Sequence, residues 1–425
     1  MKKRLFCFTL TLTLILSCIS LSSCSLASLL LNGGVADGGQ KDEGSGNGTT
    51  VGDIYVEGGD TNNITINSTL DGNLLAASKA ILSVVSIYAE FERSYTSGWG
   101  SGYNSTEPFA QSGAGVIYKL DKENGNAYII TNYHVIHSSK DNSEKQIARK
   151  INLYLYGMEA SEYAIPAEFV GGSMQYDLAV LKVTASTVLM SSIATEVTVA
   201  DSNDVSVLDT AIAIGNPDTS GISATAGYIS VDSEEIELLA SDDKTTIKIR
   251  VMRTDTAING GNSGGGLFNS KGELIGIVNA KKTVSDGMGY AIPSNVAKYI
   301  AENILYYCNG NDKTSVQRCL LGITVTPNEL YTVYDAETGR VHRCERVMVS
   351  SVNAGSLAEG YFKEGDIINS ITVDGISYEV TRLFHVVDSM LNARVGSTVV
   401  FNVERNGTEI SLTITVTEDT LTEYK

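Results

Sequence analysis

A serine lies inside a run of glycines in the middle of the chain. The segment reads Gly261-Asn262-Ser263-Gly264-Gly265. Glycines allow a sharp backbone turn, so that neighbouring N–H groups can point at a ligand. In acyl transfer such N–H groups stabilise the oxyanion, and each donor contributes about 10²- to 10³-fold in rate. The segment therefore predicts a nucleophilic Ser263, with a glycine-rich surface turn as the alternative.

A histidine and an aspartate stand at the edges of two apolar strands. His134 follows Ile129–Thr131, and Asp177 precedes Leu178–Val183. A serine hydroxyl is a poor nucleophile unless a histidine takes its proton, and a carboxylate must hold the imidazole in the correct tautomer. The chain has only four histidines, so few residues can serve as the base.

The order of these residues along the chain separates two folds. Gly261–Gly265 also fits the G-x-S-x-G nucleophile elbow of α/β-hydrolases, in which the order is serine, acid, histidine. The histidines after Ser263 are His342 and His385, in a segment that the sequence pattern assigns to a separate domain. The order histidine, aspartate, serine is instead that of chymotrypsin-like double β-barrels. An esterase is therefore disfavoured.

Together with Ala213–Pro217 and Gly289–Pro293, these three segments resemble the HtrA/Deg family of secreted trypsin-like serine proteases. The resemblance covers roughly residues 78–420. The family usually has prolines on both sides of the Gly-Asn-Ser-Gly-Gly segment, whereas this chain has Gly260 and Gly266 there. Loss of the prolines makes the unfolded chain more flexible, but it removes no catalytic atom.

The resemblance implies a role for each residue of the candidate site. His134 is the general base, Asp177 orients it, and Ser263 is the nucleophile. The backbone N–H groups of Gly261 and Ser263 form the oxyanion hole, with Asn262 between them. The resemblance also implies a homotrimer formed through the protease domains.

The same resemblance places the pocket for the side chain that precedes the cleaved bond. It is lined by Ala257, Ile258, Asn259, Ile277, Val278 and Asn279. Ala257 stands six residues before the serine, where a trypsin-like preference for Lys or Arg would need an aspartate. We therefore expect cleavage after small or medium apolar residues.

A second unit near the C-terminal part of the chain resembles a PDZ domain. Leu321, Gly322 and Ile323 correspond to the loop that binds a peptide carboxylate, and Val352–Glu359 matches a further family segment. Consecutive N–H groups would hold the carboxylate, while a strand edge accepts the peptide. A helix over Arg382–Leu391 would form the other wall of the groove. The alternative is an accessory domain that only packs on the protease.

The pattern of the whole chain predicts the elements that position these residues. Short β-rich runs separated by Gly and Asn extend from Ala80 to Ile292, and a helix follows from Pro293 to about Tyr307. The expected fold is mainly β, a chymotrypsin-like double β-barrel followed by an α+β PDZ domain. The protease domain is predicted over residues 76–308 and the PDZ domain over residues 316–420.

The first residues are predicted to be a targeting segment. Three basic residues precede a run of about 17 mostly apolar residues, which is short for a membrane span and typical of a signal peptide. Leu21-Ser22-Ser23-Cys24 resembles a bacterial lipobox, so residues 1–24 are a predicted lipoprotein signal peptide with Cys24 as the lipidated residue. An ordinary secretory signal is the alternative. Residues 25–75, rich in Gly, are predicted to be a flexible tether.

Composition excludes several classes of protein. The formal net charge of −18 disfavours a nucleic-acid partner, because phosphate contacts need clustered Lys and Arg. No Cys-x-x-Cys motif is present and no Glu or Cys completes a site with His134 and His137, so no metal or other cofactor is expected. Cys308, Cys319 and Cys344 permit at most one disulfide after loss of the leader.

The leading hypothesis is a serine endopeptidase, exported and lipid-anchored on the outer side of a bacterial membrane. It would degrade misfolded or unfolded proteins by a Ser-His-Asp acyl-enzyme mechanism and bind peptide C-termini through its PDZ domain. The alternative is a chaperone-like or scaffold protein with weak or switched-off protease activity.

Overall fold

The computed structural model describes residues 49–51, 54–56, 72–96, 104–217, 220–280, 288–311 and 313–424. The predicted signal peptide, Cys24 and most of the predicted tether lie outside these residues. Strands β1 (Thr49–Val51) and β2 (Ile54–Val56) form a two-stranded sheet, and helix α1 spans Gly72–Ala80. Among the described residues, no helix has both the length and the apolar composition needed to cross a membrane.

Six antiparallel strands close into a first barrel in the order β3-β4-β5-β8-β7-β6. Its apolar interior includes Ile87, Ile129 and Leu181. Helix α2 is a single turn, Tyr133–Ile136, directly after β5, and helix α3 spans Thr187–Ser191. The strands are β3 (Val84–Thr96), β4 (Asn104–Asp121), β5 (Asn126–Thr131), β6 (Lys150–Leu155), β7 (Ile165–Ser173) and β8 (Leu178–Val183).

A second closed barrel has the strand order β10-β11-β14-β13-β12-β9. Helix α4 (Ser294–Tyr307) follows it, as the sequence predicts, and buries Ile300 and Ile304. One large apolar cluster joins residues of both barrels with α1 and α4, so the two barrels pack against each other. The strands are β9 (Thr210–Gly215), β10 (Ser223–Leu239), β11 (Thr246–Thr254), β12 (Gly266–Phe268), β13 (Leu274–Asn279) and β14 (Gly289–Pro293).

The remaining residues form an α+β unit. Its sheet has the order β16-β17-β18-β20-β21, with β19 paired to β18, and helix α5 (Leu383–Met390) packs beside it. Strands β15 and β22 form a separate two-stranded sheet. The strands are β15 (Val316–Cys319), β16 (Ile323–Asp335), β17 (Arg340–Val352), β18 (Ile367–Val373), β19 (Ile376–Glu379), β20 (Thr398–Arg405), β21 (Thr408–Thr415) and β22 (Leu421–Tyr424). This architecture confirms the predicted fold class.

Helix α1 begins inside the segment predicted to be a tether. Its sequence, GNLLAASKA, has no strong amphipathic pattern, but Ala76 and Ala80 are buried. Ala76 lies against Gly272 of the second barrel, where an added Cβ would be 2.8 Å from the Ala76 carbonyl oxygen. Close packing of small residues therefore orders this helix, and hydrophobic periodicity could not predict it.

Charged residues connect the α+β unit to the second barrel. Arg250 on β11 forms an ion pair with Asp388 on α5, and both side chains are largely buried. Arg382, directly before α5, lies with Nη1 2.9 Å from Asp232 Oδ2 on β10. Burial lowers the pKa of Arg250 and raises the pKa of Asp388. The two charges stay close because neither has bulk water as an alternative partner.

Candidate active site

The histidine and the aspartate meet at the edge of the first barrel. His134 Nδ1 lies 2.7 Å from Oδ2 of Asp177, and the His134 backbone N–H donates to Oδ1 at 3.0 Å. Asp177 is 2% exposed, so its carboxylate depends on protein donors. Because His134 Nδ1 is hydrogen-bonded to Asp177, Nε2 is the ring nitrogen that can exchange a proton with a substrate or nucleophile.

Two asparagines complete the environment of Asp177. Asn279 Nδ2 donates to Oδ2 of Asp177 at 2.8 Å. Asn132 Nδ2 donates to the backbone carbonyl oxygen of Asp177 at 2.9 Å. Asp177 has a φ of 50°, a left-handed conformation that is uncommon outside glycine. Asn132 is not among the residues predicted from the sequence. Asn279 was expected in the substrate pocket, whereas the structure buries its side chain against the carboxylate.

Ser263 comes from the second barrel and packs beside the segment that carries His134. Its carbonyl oxygen accepts from the Ala114 N–H at 2.8 Å, and the Ala280 N–H donates to its Oγ at 3.3 Å. Gly264 has a φ of 82°, and an added Cβ would lie 2.3 Å from Thr131 Oγ1. Within the described part of the chain, no hydrogen bond joins Ser263 Oγ to His134. In proteins without substrate such bonds are often long and tighten only in the complex.

The backbone around Ser263 leaves two N–H groups for a ligand. The Asn262 carbonyl accepts from the Gly265 N–H at 3.0 Å, so the Ser263 N–H, on the opposite side of the same trans peptide, points away from the loop. Gly261 has a φ of 94°. Neither the Gly261 nor the Ser263 N–H has an acceptor among the described residues. This arrangement can bind an oxyanion.

The side chain of Phe268 explains one difference from the family pattern. An added Cβ on Gly266 would lie 2.4 Å from the Phe268 ring, so the ring occupies the space that a proline would need. At Gly260 nothing lies within 4 Å of an added Cβ. The first glycine is therefore free to change, whereas the second is fixed by packing.

The predicted pocket residues have three different environments. Ala257 and Asn259 are exposed, and Ile258 is half-buried with Cδ1 2.5 Å from the position of an added Cβ on Gly289. Ile277 and Val278 are fully buried in the cores of the second barrel. Their side chains therefore do not face a pocket, because alternate residues of a buried strand point into packed layers on its two faces.

The predicted carboxylate-binding loop precedes β16. Gly322 has a φ of 80°, and an added Cβ would lie 2.2 Å from Ser356 Cβ. The Leu321 carbonyl accepts from Ala358 at 2.9 Å, and the Gly322 carbonyl accepts from Asn353 at 2.8 Å. These bonds fix the loop, and Ile323 begins the edge strand β16.

Within the described residues, no group of His, Cys, Asp and Glu side chains could hold a metal ion. His137 is buried and stacks on Tyr133 with ring centroids 5.0 Å apart. Cys308, Cys319 and Cys344 are buried and form no disulfide with one another. Burial raises the pKa of Cys308 to about 11, so this thiol is a packing group and not a nucleophile.

Comparison with known proteins gives two family matches. Residues 113–277 match the trypsin-like peptidase domain, and residues 319–416 match the PDZ domain. The chain is 33% identical over 344 residues to the serine protease Do-like HtrA of Bacillus subtilis. The aligned residues cover 79% of this chain and 69% of that protein. It is 30% identical to the serine protease Do-like HtrA of Lactococcus lactis subsp. cremoris, with 84% of each chain covered.

Two further proteins extend the comparison. The periplasmic pH-dependent serine endoprotease DegQ of Escherichia coli is 30% identical over 74% of this chain and 61% of its own length. Among solved structures, the HtrA-type protease AlgW with a tripeptide is 25% identical, with a TM-score of 0.50 over 82% of this chain and 97% of that chain.

Proposed function

This chain is a serine endopeptidase of the HtrA family, with a trypsin-like peptidase domain followed by a PDZ domain, and we propose that it degrades misfolded or unfolded proteins in the cell envelope. The observation that carries the proposal is the Asp177–His134 pair, 2.7 Å apart, beside a serine whose loop presents two free N–H groups. Nucleophile, base, orienting acid and oxyanion donors are the complete set for acyl transfer.

In the proposed reaction, His134 Nε2 takes the proton of Ser263 Oγ as that oxygen bonds to the carbonyl carbon of the substrate. The carbon–nitrogen bond then breaks, the imidazolium gives its proton to the departing amine, and an acyl group remains on Ser263. Water repeats both steps and releases the acid. Asp177 keeps its charge throughout and stabilises the imidazolium.

The N–H groups of Gly261 and Ser263 bind the oxyanion that forms in each tetrahedral intermediate. The Asn262 carbonyl accepts from the Gly265 N–H, which fixes the peptide that carries the Ser263 N–H, so this donor needs no rearrangement when charge develops. Donors that are fixed in advance lower the barrier more than donors that must turn towards the charge.

The proposed specificity is for a small or medium apolar residue before the cleaved bond. Ala257 supplies no charge for Lys or Arg, and the Ile258 side chain lies against Gly289. A branched apolar side chain at this position shortens the pocket and leaves no polar partner for a charged substrate group.

We assign peptide binding to the PDZ domain. Strand β16 is an edge strand of its sheet within the described residues, and α5 lies beside it. An extended peptide can add to this edge while the loop of Leu321, Gly322 and Ile323 binds its terminal carboxylate. The AlgW structure, described as containing a tripeptide, supports this assignment.

Export and anchoring are part of the same proposal. The periplasmic relative supports a location outside the cytoplasm, and the lipobox-like sequence supports lipidation of Cys24 after removal of residues 1–24. Residues 25–75 would hold the protease domain (76–308) and the PDZ domain (316–420) away from the membrane. A homotrimer formed through the protease domains, which the resemblance to the family implies, is also part of the proposal.

The test compares the chain from residue 25 with its Ser263→Ala variant on unfolded casein, with and without added peptides. We expect degradation by the parent and none by the variant. Equal degradation by both proteins would remove Ser263 as the nucleophile. Binding of casein without cleavage under every condition would favour the chaperone-like alternative.

A further inference from the structure

Strand β22 forms its sheet with the segment that connects the two domains. It pairs antiparallel with β15, with Tyr424 opposite Val316 and Leu421 opposite Cys319. Strand β15 lies at the start of the PDZ domain and β22 follows its end. The sheet therefore joins the two points at which the chain enters and leaves that domain.

The connecting segment is attached to the part of the first barrel that leads to the catalytic acid. The Gly172 N–H on β7 donates to the Thr314 carbonyl at 2.9 Å. Asn303 on α4 makes two bonds with the backbone of Gln317, at 2.7 and 3.0 Å. The β15–β22 sheet is thus held next to the end of β7.

The loop between β7 and β8 rests on this sheet. The ring of Tyr176, the residue directly before Asp177, lies 5.8 Å from the ring of Tyr424, centroid to centroid. The Arg318 guanidinium lies 5.1 Å from the Tyr424 ring centroid. Burial raises the pKa of Tyr176 to about 12, as expected for an enclosed phenol. Tyr424 therefore supports Tyr176 from one side while Arg318 covers Tyr424.

We propose that Tyr424 is a positioning residue for Asp177, acting through the ring of Tyr176. This inference rests on the proposed function, in which Asp177 orients His134. It assigns to β22, which lies beyond the PDZ domain in the sequence, a role in the geometry of the protease site.

The conformation of Asp177 gives the physical reason. Its φ of 50° lies in the left-handed region, which Asp adopts more readily than most residues with a side chain but still at a cost, so the surroundings help to hold it in place. The Asp177 N–H makes a local bond to the Met174 carbonyl at 3.2 Å, within a short loop. Without the Tyr424 ring, Tyr176 loses a packing partner and the loop can relax. The carboxylate would then move away from His134.

Three variants of the full chain test the inference: Tyr424→Ala, Tyr424→Phe and the control Tyr156→Ala. Tyr156 is 51% exposed and takes no part in the contacts described above. The measurements are kcat and KM on a fluorogenic peptide, with active sites counted by complete reaction with a fluorophosphonate. We expect Tyr424→Ala to lower kcat per site about 10- to 10²-fold with KM nearly unchanged, since a displacement of catalytic groups by about 1 Å can cost about 10²-fold. Tyr424→Phe keeps the ring and should retain the parental kcat.

A second measurement does not depend on turnover. The Nδ1 proton of His134, hydrogen-bonded to Asp177, should give a low-field proton NMR signal in the parent, in Tyr424→Phe and in Tyr156→Ala. In Tyr424→Ala this signal should broaden or disappear. If it is unchanged, or if kcat per active site equals that of the control, the inference is wrong. If Tyr424→Ala lowers the melting temperature but leaves kcat per site unchanged, β22 only stabilises the fold and the inference is likewise wrong. An inactive parent would contradict the proposed function, and the NMR signal would still decide the inference.

Discussion

Asn279 and His134 bind the same carboxylate oxygen. Asn279 Nδ2 lies 2.8 Å from Oδ2 of Asp177, and His134 Nδ1 lies 2.7 Å from it. The asparagine comes from the second barrel, whereas the other two residues come from the first. The orientation of the imidazole therefore depends on how the two barrels pack.

Replacing Asn279 with Ala should lower kcat about tenfold, because removing a donor from a buried charged group costs roughly 1–3 kcal/mol. The matched control is Asn203→Ala, an exposed asparagine. Kinetics on a peptide substrate check the prediction. Equal kcat values for the two variants would contradict a role for Asn279 at the site.

Two adjacent glycines should respond differently to alanine. Gly261 has a φ of 94°, so a side chain there strains the backbone and turns the N–H away from the oxyanion. We expect Gly261→Ala to lower kcat about 10²- to 10³-fold. Gly260→Ala is the control, because an added Cβ meets nothing within 4 Å. Similar kcat values for both variants would argue against the proposed oxyanion hole.

The size of the side chain at Ile258 should set specificity. Ile258→Ala opens the space next to Gly289, so preference should shift from small residues such as Val and Ala towards Leu and Phe. Cleavage profiles on a peptide library measure the shift, with Ala257→Ser as a volume-neutral control. A parental profile dominated by Lys or Arg would overturn the assignment of this pocket.

The ion pair between the domains should contribute to stability. Asp388→Asn leaves the Arg250 charge buried without its partner, at a cost of about 3–5 kcal/mol. Lys248→Ala, on the exposed face of the same strand, should cost less than about 1 kcal/mol. Urea unfolding midpoints of the two variants test the contrast. Equal decreases in the unfolding midpoint would show that the buried Arg250–Asp388 pair contributes no more to stability than the exposed ion pairs of Lys248.

His385 predicts a pH dependence of stability. Burial, with the charges of Arg250 and Arg382, lowers its pKa from 6.5 to about 4, and its Nδ1 accepts from the Thr381 N–H at 3.2 Å. Between these pH values the unfolded chain binds more protons than the folded chain. The free energy of unfolding should therefore fall by up to about 3 kcal/mol as the pH decreases from 7 to 4.

The control for this prediction is His385→Gln, whose amide can accept the same bond but does not titrate. Urea unfolding of the parent and the variant at several pH values gives the difference that belongs to His385. That difference should change between pH 6.5 and 4. Parallel curves over this range would contradict the prediction.

The sequence predicted the fold and the principal candidate residues because both leave local signals. His134 and Asp177 adjoin apolar strands, Ser263 lies among glycines, and α4 begins directly after a proline. Each signal is contained in a few neighbouring residues. The double barrel then follows from many short strands and from the order of the three residues.

Other features depend on contacts between distant segments. Asn279 lies on a strand, and whether its side chain faces substrate or Asp177 depends on how that strand sits in the barrel. The pairing of Tyr424 with Val316 requires the PDZ domain to be folded between them. The Arg250–Asp388 pair joins two domains. No local pattern reports these contacts, so the structure was needed to find them.

The position of β22 in the sequence has a consequence for the timing of activity. In the proposed export the chain emerges from its N-terminus, so both barrels, including Ser263, emerge before the PDZ domain and then Tyr424. If Tyr424 positions Asp177 as proposed, the loop of Asp177 gains this support only after the peptide-binding domain has emerged. Full activity would then come last, when the segments of the chain that are substrates of the proposed kind while unfolded have themselves emerged.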